Sequence, residues 1–455
     1  MHYLSTRGQA PRADFDDVLT QALAADGGLF VPEHYPSGLT AAPEMSFADV
    51  AARVLAAFGG DAFPLAEAQP LAEQAFGTFR HEAAAPVIQL GDDRVLELFH
   101  GPTLAFKDVA MQLLARLFER SLARSGRTMQ VVVATSGDTG GAAVASLANR
   151  AGIKLCVLHP HERISEVQRR FMTTTGAENV LNLAVDGTFD DCQTIVKALF
   201  ADRPFAESVS LGGVNSINWA RIASQVTYYL TACRDVGEGP VHFSVPTGNF
   251  GDVFAGWVAK KMGAPIGQLI VAVNENDILD RALRTGVYDK RGVTQTSSPS
   301  MDIEIASNFE RAIFEASGRD SALTASLMAE LKAEGTFTLP ENVLTELRKD
   351  FLSYRASQAE VAALLKTVAK DTGILIDPHT AIGIHAARRG REEGLEGPIV
   401  TLATAHAAKF PDAVEEATGQ RPALPFPEGD LYAAEEIFQR MPATTAAVQA
   451  AIKGC

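Results

Sequence analysis

Apolar and polar positions along the chain alternate between two periods, which predicts strands and helices in turn. The run MQVVVAT (129–135) is β-branched, GGAAVASLANRAG (140–152) is rich in small helix-forming residues, and IKLCVLHP (153–160) is again apolar and extended. A buried strand, a helix and a second buried strand form a βαβ unit, which closes right-handed over a parallel sheet. We therefore predict a parallel sheet in this part of the chain.

The same alternation continues through most of the remaining sequence. Strands are predicted in NVLNLAVDG, VHFSVPTGNFGD and QLIVAVNEN, and helices in TFDDCQTIVKALFAD, SINWARIASQVTYYLTACRDV and VFAGWVAKKMG. Two further strand-to-helix transitions are predicted in GILIDPHTAIGIHAARRG and PIVTLATAHAAKF, and the charged span 321–370 is predicted to be helical. The fold class that follows is α/β, with two open twisted sheets flanked by helices.

Ligands in open α/β sheets bind where loops leave the carboxyl ends of strands, so these loops are the first candidates for a site. ATSGDTGG (134–141) places Ser136, Asp138 and Thr139 where a strand gives way to a helix. The free N–H groups of a helix start bind anions such as a carboxylate. The alternative is that one of these side chains only caps the helix.

Two more loops carry candidate ligand-binding residues. PTGNFGD (246–252) has Gly248 and Gly251 on either side of Asn249 and Phe250, and such a loop can approach a phosphate closely or form a tight turn without a ligand. It matches neither the Walker motif nor the dinucleotide-binding motif. In LATAHAAKF (402–410), the hydroxyl of Thr404 could meet a ligand nitrogen or cap the next helix.

Lys107 lies in ELFHGPTLAFKDVAMQLL (97–114), among small and apolar residues at a predicted helix start. A positive charge is disfavoured at that end of a helix, and burial against Phe106 and Leu104 would favour the neutral amine. A neutral amine is the form that attacks an aldehyde, although a solvated lysine is the ordinary alternative. Combined with a phosphate-type loop, this lysine favours pyridoxal phosphate as the cofactor.

Composition narrows the class of partner. The chain has 455 residues with a formal net charge of -15, which opposes binding to nucleic acid or an anionic membrane. No apolar stretch is long enough to span a bilayer, and the N-terminus lacks a secretory pattern. The four cysteines are far apart, without the spacing of a metal site, so we expect reduced thiols in a cytoplasmic protein and no metal.

Seven motifs together resemble one enzyme family. YLSTRG, ALAADGGLFVPE, HGPTLAFKD, TSGDTG, NSINWARI, PTGNFGD and TAHAAKF occur in the order typical of threonine synthases, in particular the longer form seen in bacteria and fungi. The resemblance runs from Tyr3 to about Phe410. It implies a tryptophan-synthase-β-like pyridoxal-phosphate fold (fold type II) and conversion of O-phospho-L-homoserine and water to L-threonine and phosphate by β,γ-elimination and water addition, the last step of threonine biosynthesis.

The resemblance also implies roles for individual residues. Lys107 would be the Schiff-base lysine, the loop Gly248–Gly251 with Asn249 and Phe250 would hold the cofactor phosphate, and Thr404 would face the pyridine nitrogen. The TSGDTG residues named above would lie by the substrate carboxylate and the cofactor ring. The candidates for the pocket of the substrate phosphate are Asn215, Ser216, Asn218 and Arg221, although Arg221 could instead form an ordinary ion pair on its helix.

The family pattern suggests a domain division and leaves two alternatives. We expect an N-terminal domain at 1–95, a large cofactor-binding domain at 96–110 and 236–455, and a smaller mobile domain at 111–235. Another pyridoxal-phosphate enzyme of this fold, such as a serine or threonine dehydratase, would share Lys107 and the glycine loop. A non-catalytic homologue that binds an amino acid is the second alternative. The sequence does not indicate whether the protein is a monomer or a homodimer.

Overall fold

Two larger sheets with helices packed against them, together with two sheets of two strands each, are found in the protein, which we describe from a computed structural model of residues 1–21, 23–214, 216–237, 239–427 and 431–454. The strands are β1 Tyr3–Ser5, β2 Phe30–Pro32, β3 Val87–Leu90, β4 Asp93–Glu97, β5 Met129–Ala134, β6 Ile153–Pro160, β7 Val180–Asp186, β8 Leu211–Gly212, β9 Val241–Pro246, β10 Ile266–Val273, β11 Val287–Asp289, β12 Thr336–Thr338, β13 Phe351–Arg355, β14 Ile399–Ala403 and β15 Gln439–Pro442.

Helices lie between most of these strands, as the alternating pattern predicts. They are α1 Phe15–Gln21, α2 Phe47–Gly59, α3 Leu65–Phe76, α4 Lys107–Ser125, α5 Asp138–Leu147, α6 Glu166–Thr173, α7 Phe189–Ala201, α8 Arg203–Ser208, α9 Trp219–Val236, α10 Gly251–Lys261, α11 Ile278–Thr285, α12 Phe309–Ala316, α13 Ser321–Glu334, α14 Glu341–Asp350, α15 Gln358–Thr372, α16 Pro378–Glu392, α17 Pro411–Thr418 and α18 Thr445–Gly454. Short 3₁₀ turns occur at Gly60–Ala62, Pro299–Met301 and Ala407–Lys409.

The larger sheet has six strands in the order β13-β10-β9-β14-β4-β3, and the smaller has five in the order β15-β7-β6-β5-β8. All neighbours are parallel except β3, which runs antiparallel to β4. Successive residues of β10 alternate between two hydrophobic clusters, so this strand is covered on both faces. The predicted α/β class with two helix-flanked sheets is confirmed.

Two element predictions are wrong. The residues Ile374–Ile376 were expected to form a strand, but they connect α15 to α16, because Gly373 ends one helix in the left-handed conformation and Asp377 caps the next. The span 321–370 is not one helical region either. Gly335 ends α13, and the strands β12 and β13 interrupt the helices, with β13 forming the edge of the larger sheet.

Strand pairing bears on the proposed domain division at two places. β3 belongs to the larger sheet although it falls within the proposed N-terminal domain 1–95. β15 pairs in parallel with β7, and α18 packs on α7, so the end of the chain joins the smaller sheet. The side chain of Glu436 accepts hydrogen bonds from Arg169 in the same region. The division therefore stays a proposal, with the last residues lying against the smaller sheet.

No helix within the described ranges is long and apolar enough to cross a membrane. Cys156, Cys192 and Cys233 are buried thiols, whereas Cys455 lies outside the described residues.

Candidate active site

Lys107 is the first residue of α4, as predicted, and its side chain is buried against Asp138. The side chain is 11% exposed, and Nζ lies 3.1 Å from Oδ2 of Asp138 and 3.2 Å from Oγ of Ser300. Burial lowers the pKa of Lys107, and this effect outweighs the attraction of Asp138. The structure thus supports an amine that loses its proton more readily than an exposed lysine does.

Asp138 is the first residue of α5, at the carboxyl end of β5 in the smaller sheet. Its Oδ1 accepts a hydrogen bond from Nε2 of Gln168 at 3.0 Å, and its Oδ2 accepts one from Oγ of Ser300 at 2.9 Å. Burial raises the pKa of Asp138, but Lys107 and Lys409 outweigh burial and hold this pKa well below its usual range. Asp138 is therefore an anion, so its side chain repels a substrate carboxylate and faces cations instead.

The loop before α5 depends on glycine and threonine rather than on side-chain capping. Gly137 is the N-cap residue, with φ at 132°, and a Cβ there would lie 2.5 Å from the amide carbon of Gln168. Oγ1 of Thr135 accepts from the N–H groups of Gly137 and Gly140, both at 2.9 Å. Ser136 and Thr139 are half-buried and make no side-chain hydrogen bond to the described protein. The alternative that Ser136, Asp138 or Thr139 caps the helix is thus wrong.

The predicted glycine loop connects β9 to α10. Phe250 has the left-handed φ of 64°, and its ring packs on Phe309 and Phe351 at 5.2 Å. Within the described chain, the amides of residues 248–251 donate to no backbone carbonyl, and the half-buried side chain of Asn249 makes no hydrogen bond. A Cβ on Gly248 would lie 2.8 Å from the carbonyl oxygen of Ser300, so only glycine fits beneath that segment. The loop offers donors to an anion without further rearrangement.

Asn308 joins the glycine loop to the NSINWARI motif. Its side-chain nitrogen donates to the carbonyls of Ser216 at 3.2 Å and Asn249 at 3.1 Å. Ser216 itself is half-buried and uses only its carbonyl in this contact. Asn215 was a candidate for the same pocket but lies outside the described residues.

Arg221 is a buried cation with few partners. It is 4% exposed, its Nη1 donates to the carbonyl of Val214 at 2.9 Å, and its Nε has no partner. Burial lowers the pKa of Arg221 to about 10, and Arg221 in turn lowers the pKa of Lys107. No carboxylate of the described chain pairs with it, so the alternative of an ordinary ion pair on the helix is not observed. By contrast, Asn218 caps α9 and donates to the carbonyl of Leu19 at 2.8 Å, so its amide is already engaged.

Asp252 lies directly after the glycine loop and is held by two tyrosines. Its Oδ1 accepts hydrogen bonds from the hydroxyls of Tyr228, at 2.5 Å, and Tyr229, at 2.9 Å, whereas Oδ2 has no partner. Burial raises the pKa of Asp252 to about 6, although both tyrosines and Lys107 lower it. This carboxyl group therefore exchanges its proton close to neutral pH.

Thr404 follows β14 and is 5% exposed. Its carbonyl accepts from the N–H of Phe106 at 2.8 Å, which fixes it beside the segment that carries Lys107. Its hydroxyl makes no hydrogen bond to the described protein, and His406 instead caps the 3₁₀ turn that follows. The alternative that Thr404 serves as a cap is therefore wrong.

Three residues of the site were missed. Lys409 forms an ion pair with Oδ1 of Asp138 at 2.9 Å, and Ser300 and Gln168 contact the same carboxylate. Lys409 in AHAAKF resembles Lys107 in its sequence setting, since it too is a lysine among small and apolar residues next to a helix start, and this signal could have found it. Ser300 and Gln168 gave no comparable signal, because uncharged polar residues in loops and first turns are common.

These groups fit pyridoxal phosphate. An amine with a lowered pKa suits the aldehyde, the unpaired amides of 248–251 suit the phosphate, and the free Thr404 hydroxyl suits a ring nitrogen. The unpaired Nε of Arg221 suits a second anion.

Comparison with known proteins agrees with this fit. Residues 95–405 match the family model of pyridoxal-phosphate-dependent enzymes, so the fold and the site define a pyridoxal-phosphate-dependent enzyme of the tryptophan-synthase-β type. Residues 2–76 and 380–452 match the models of the threonine synthase N terminus and C-terminal region. The chain belongs to the threonine synthase family.

Full-length relatives support this assignment. The chain is 47% identical to the threonine synthase of Pseudomonas aeruginosa, covering 99% of this chain and 97% of that protein. It is also similar to the crystal structure of pyridoxal-phosphate-bound threonine synthase from Brucella melitensis, with 49% identity, a TM-score of 0.95 and coverage of 100% of this chain and 99% of that one. The yeast enzyme structure matches at 38% identity and a TM-score of 0.92, covering 99% and 98%. The predicted family, fold and cofactor are confirmed.

Proposed function

We propose that this protein converts O-phospho-L-homoserine and water to L-threonine and phosphate. The observation that carries the proposal is Arg221, a buried guanidinium with an unpaired Nε in the neighbourhood of Lys107. A dehydratase acting on serine or threonine has no second phosphate to hold, whereas a phosphorylated substrate does. An unpaired buried cation is costly to the free protein, so its presence favours an anionic ligand.

The cofactor-binding residues follow from the free donors of the site. Lys107 would join the cofactor aldehyde, the amides of 248–251 and the side chain of Asn249 would hold its phosphate, and Thr404 would face its ring nitrogen. When bound, pyridoxal phosphate supplies an electron sink for negative charge that develops next to the substrate nitrogen. A neutral hydroxyl at Thr404 cannot hold a proton on that nitrogen as a carboxylate would.

Lys107 moves the protons in the proposed reaction. Once the substrate amine has displaced it, its free amine accepts the Cα proton, and Ser300 and Asp138 keep Nζ near that position. Asp138 stabilises the ammonium that results. A proton then leaves Cβ as phosphate leaves Cγ. One of the two released protons returns to Cγ, water adds its hydroxyl to Cβ and its hydrogen to Cα to complete threonine, and the other released proton departs with hydrogen phosphate.

The substrate is held by groups from both sheets. Arg221 would bind the phosphate, with the half-buried Ser216 beside it, and the hydroxyls of Ser136 and Thr139 would bind the carboxylate together with the amides at the start of α5. We assign Asn218 a supporting position, because its amide is occupied by α9 and Leu19. Asn215 stays a candidate. Because water must enter only after phosphate leaves, we expect closure of the smaller domain over the substrate.

The test compares two substrates with the same purified protein. O-phospho-L-homoserine should yield phosphate and threonine in equal amounts, and L-threonine should yield no 2-oxo acid. The opposite pattern would favour a dehydratase, and cofactor binding without turnover of either compound would favour a non-catalytic homologue. We place the reaction in the cytoplasm, since the described cysteines are buried thiols.

A further inference from the structure

A second lysine, Lys409, is buried in the site opposite Lys107, and the proposed reaction gives it no part. It ends the 3₁₀ turn after Thr404, and its side chain is 1% exposed. Nζ lies 2.9 Å from Oδ1 of Asp138 and donates to the carbonyl of Thr103 at 2.7 Å. A lysine this deeply buried is rare unless its charge is paired.

One carboxylate is shared between the two lysines. Lys409 contacts Oδ1 of Asp138, and Lys107 contacts Oδ2 at 3.1 Å. If both amines carry a proton, this buried group of three has one excess positive charge, and Arg221 adds another nearby. The excess disfavours full protonation, so one of the two lysines should release its proton more readily than the other.

The hydrogen-bond acceptors indicate which lysine keeps its charge. Lys409 donates to a carboxylate and to a backbone carbonyl, and both acceptors stabilise an ammonium. Lys107 has the same carboxylate, but its other acceptor is only the neutral hydroxyl of Ser300, whose own proton is donated to Oδ2 of Asp138. The acceptors of Lys107 therefore stabilise an ammonium less than those of Lys409, and Lys107 is the lysine that loses its proton more readily.

We propose that Lys409 is a positioning residue that keeps its charge and neutralises Asp138, so that the neighbouring Lys107 amine can be free. The inference rests on the proposed role of Lys107 as the lysine that joins the cofactor. Without the charge of Lys409, the anionic field of Asp138 would act on Lys107 alone and hold its proton.

The charged groups around Lys107 shift its pKa in opposite directions. Burial lowers the pKa of Lys107, Asp138 raises it, and Lys409 and Arg221 lower it. Asp252, on α10, also interacts with Lys107, which lowers its pKa, and the adjacent Asp108 is a second buried carboxyl whose pKa burial raises and Lys409 lowers. Substitution at position 409 leaves Asp252 and Arg221 in place, whereas loss of the Lys409 charge favours the neutral form of Asp108, which opposes a rise in the pKa of Lys107. A rise in the titration of Lys107 therefore reports on the Lys409 charge itself.

A purely structural role for Lys409 makes a different prediction. Lys409 also ties the segment after β14 to the loop before α5, and any side chain that donates to both acceptors could do this. Lys409→Gln keeps a donor but removes the charge, whereas Lys409→Arg keeps the charge. If Lys409 is only an anchor, Lys409→Gln should leave the titration of Lys107 unchanged. If its charge neutralises Asp138, only Lys409→Arg should leave that titration unchanged.

The experiment titrates Lys107 in the full-length, cofactor-free protein. Formaldehyde and a hydride donor label neutral amines, and peptide mass spectrometry measures the extent at Lys107 as a function of pH. We expect Lys107 to titrate below exposed lysines of the same chain, Lys409→Gln to move it up by roughly one pH unit, or about tenfold less free amine at neutral pH, and Lys409→Arg to leave it nearly unchanged. The rate of pyridoxal phosphate capture, followed by visible absorbance, should fall by about the same factor in Lys409→Gln.

Two results would overturn the inference. The first is a Lys107 titration in Lys409→Gln that equals the wild type, which would make Lys409 an anchor. The second needs no variant and so holds even if Lys409→Gln fails to fold: a wild-type Lys107 that titrates with the exposed lysines. Because the labelling uses no substrate, a failure to produce threonine would count against the proposed function and leave this titration intact.

Discussion

Replacing Arg221 by methionine should make the protein more stable and less active, and both effects come from one buried charge. Burial lowers the pKa of Arg221 to about 10, and one pKa unit corresponds to about 1.4 kcal/mol, so burying this cation costs the free protein on the order of 3 kcal/mol. The variant loses the hydrogen bond to the Val214 carbonyl, which offsets about 1–2 kcal/mol of that gain. A net stabilisation of about 1–2 kcal/mol is expected.

The stability effect is measured as a thermal unfolding midpoint. The entropy of unfolding for a chain of 455 residues is about 1 kcal/mol per degree, so the midpoint of Arg221→Met should rise by roughly 1–2 °C. Loss of a guanidinium–phosphate contact removes about 2–4 kcal/mol of binding, so kcat/KM for O-phospho-L-homoserine should fall roughly 30- to 1,000-fold.

Arg311 provides a matched control for this prediction. It is equally buried, and burial lowers its pKa to about 10 as well, but it donates to the carbonyls of Phe30 at 2.9 Å and Ile217 at 2.7 Å and to the side chain of Asn308. Arg311→Met leaves three acceptors unpaired, which costs about 3–6 kcal/mol against the same gain of about 3 kcal/mol, so the midpoint should fall by up to about 3 °C instead of rising. The reasoning is refuted if Arg221→Met is destabilised as much as Arg311→Met, or if it keeps full kcat/KM.

Three other variants test the site. Lys107→Ala should abolish turnover and the visible absorbance of bound cofactor while the unfolding midpoint stays within a few degrees; measurable turnover would contradict its role. Gly248→Ala places a Cβ 2.8 Å from the Ser300 carbonyl oxygen, so the loop must move, at a cost of about 1–3 kcal/mol. Cofactor affinity, measured by fluorescence titration, should therefore fall roughly 5- to 150-fold. Unchanged affinity would argue against a phosphate-binding loop. Asp252→Asn tests the raised pKa of Asp252, which is about 6 in the folded protein. In the unfolded chain an aspartate loses its proton near about pH 4, so between about pH 4 and pH 6 the folded wild type binds one proton more than the unfolded chain. Rising pH therefore destabilises the wild type over this range but not the variant. The midpoint of the variant relative to wild type should therefore rise from about pH 4 to 6 and be level above, and a flat difference would count against a protonated Asp252.

Most of the fold could be predicted from the sequence because buried parallel strands have a strong signature. The runs LCVL (155–158) and LIVAV (269–273) are uninterrupted and apolar, and both lie in strands. ILI (374–376) resembles such a run, but three residues between a helix-ending glycine and a helix-capping aspartate leave no room for a strand. Short apolar runs cannot be assigned from periodicity alone, since the neighbouring helix ends decide the outcome.

The site was predicted less completely than the fold. The glycine loop and Thr404 could be predicted because each follows a strand, and Lys107 because it begins a helix. The structure places the loop and Thr404 at the carboxyl ends of two neighbouring strands of the larger sheet, β9 and β14, with the segment of Lys107 beside Thr404. Ser300 reaches Lys107 from 193 residues further along the chain, and no local pattern encodes that meeting. Likewise, the hydrogen bonds of Asn218 to α9 and Leu19 depend on tertiary packing, so its motif position suggested a ligand contact more strongly than the structure does.

The position of β14 in the larger sheet affects how the protein can fold during synthesis. β14 is made from residues 399–403, yet it lies between β9 and β4, and β4 is made from residues 93–97. A nascent chain that lacks β14 has two unjoined halves of this sheet, and the segment of Lys107 has no Thr404 carbonyl to accept from Phe106. Contacts separated by some 300 residues form slowly, because a long loop must close first. The ribosome therefore completes nearly all of the chain before a cofactor pocket exists, and until then the edges of β9 and β4 that β14 will cover are unpaired and open to aggregation.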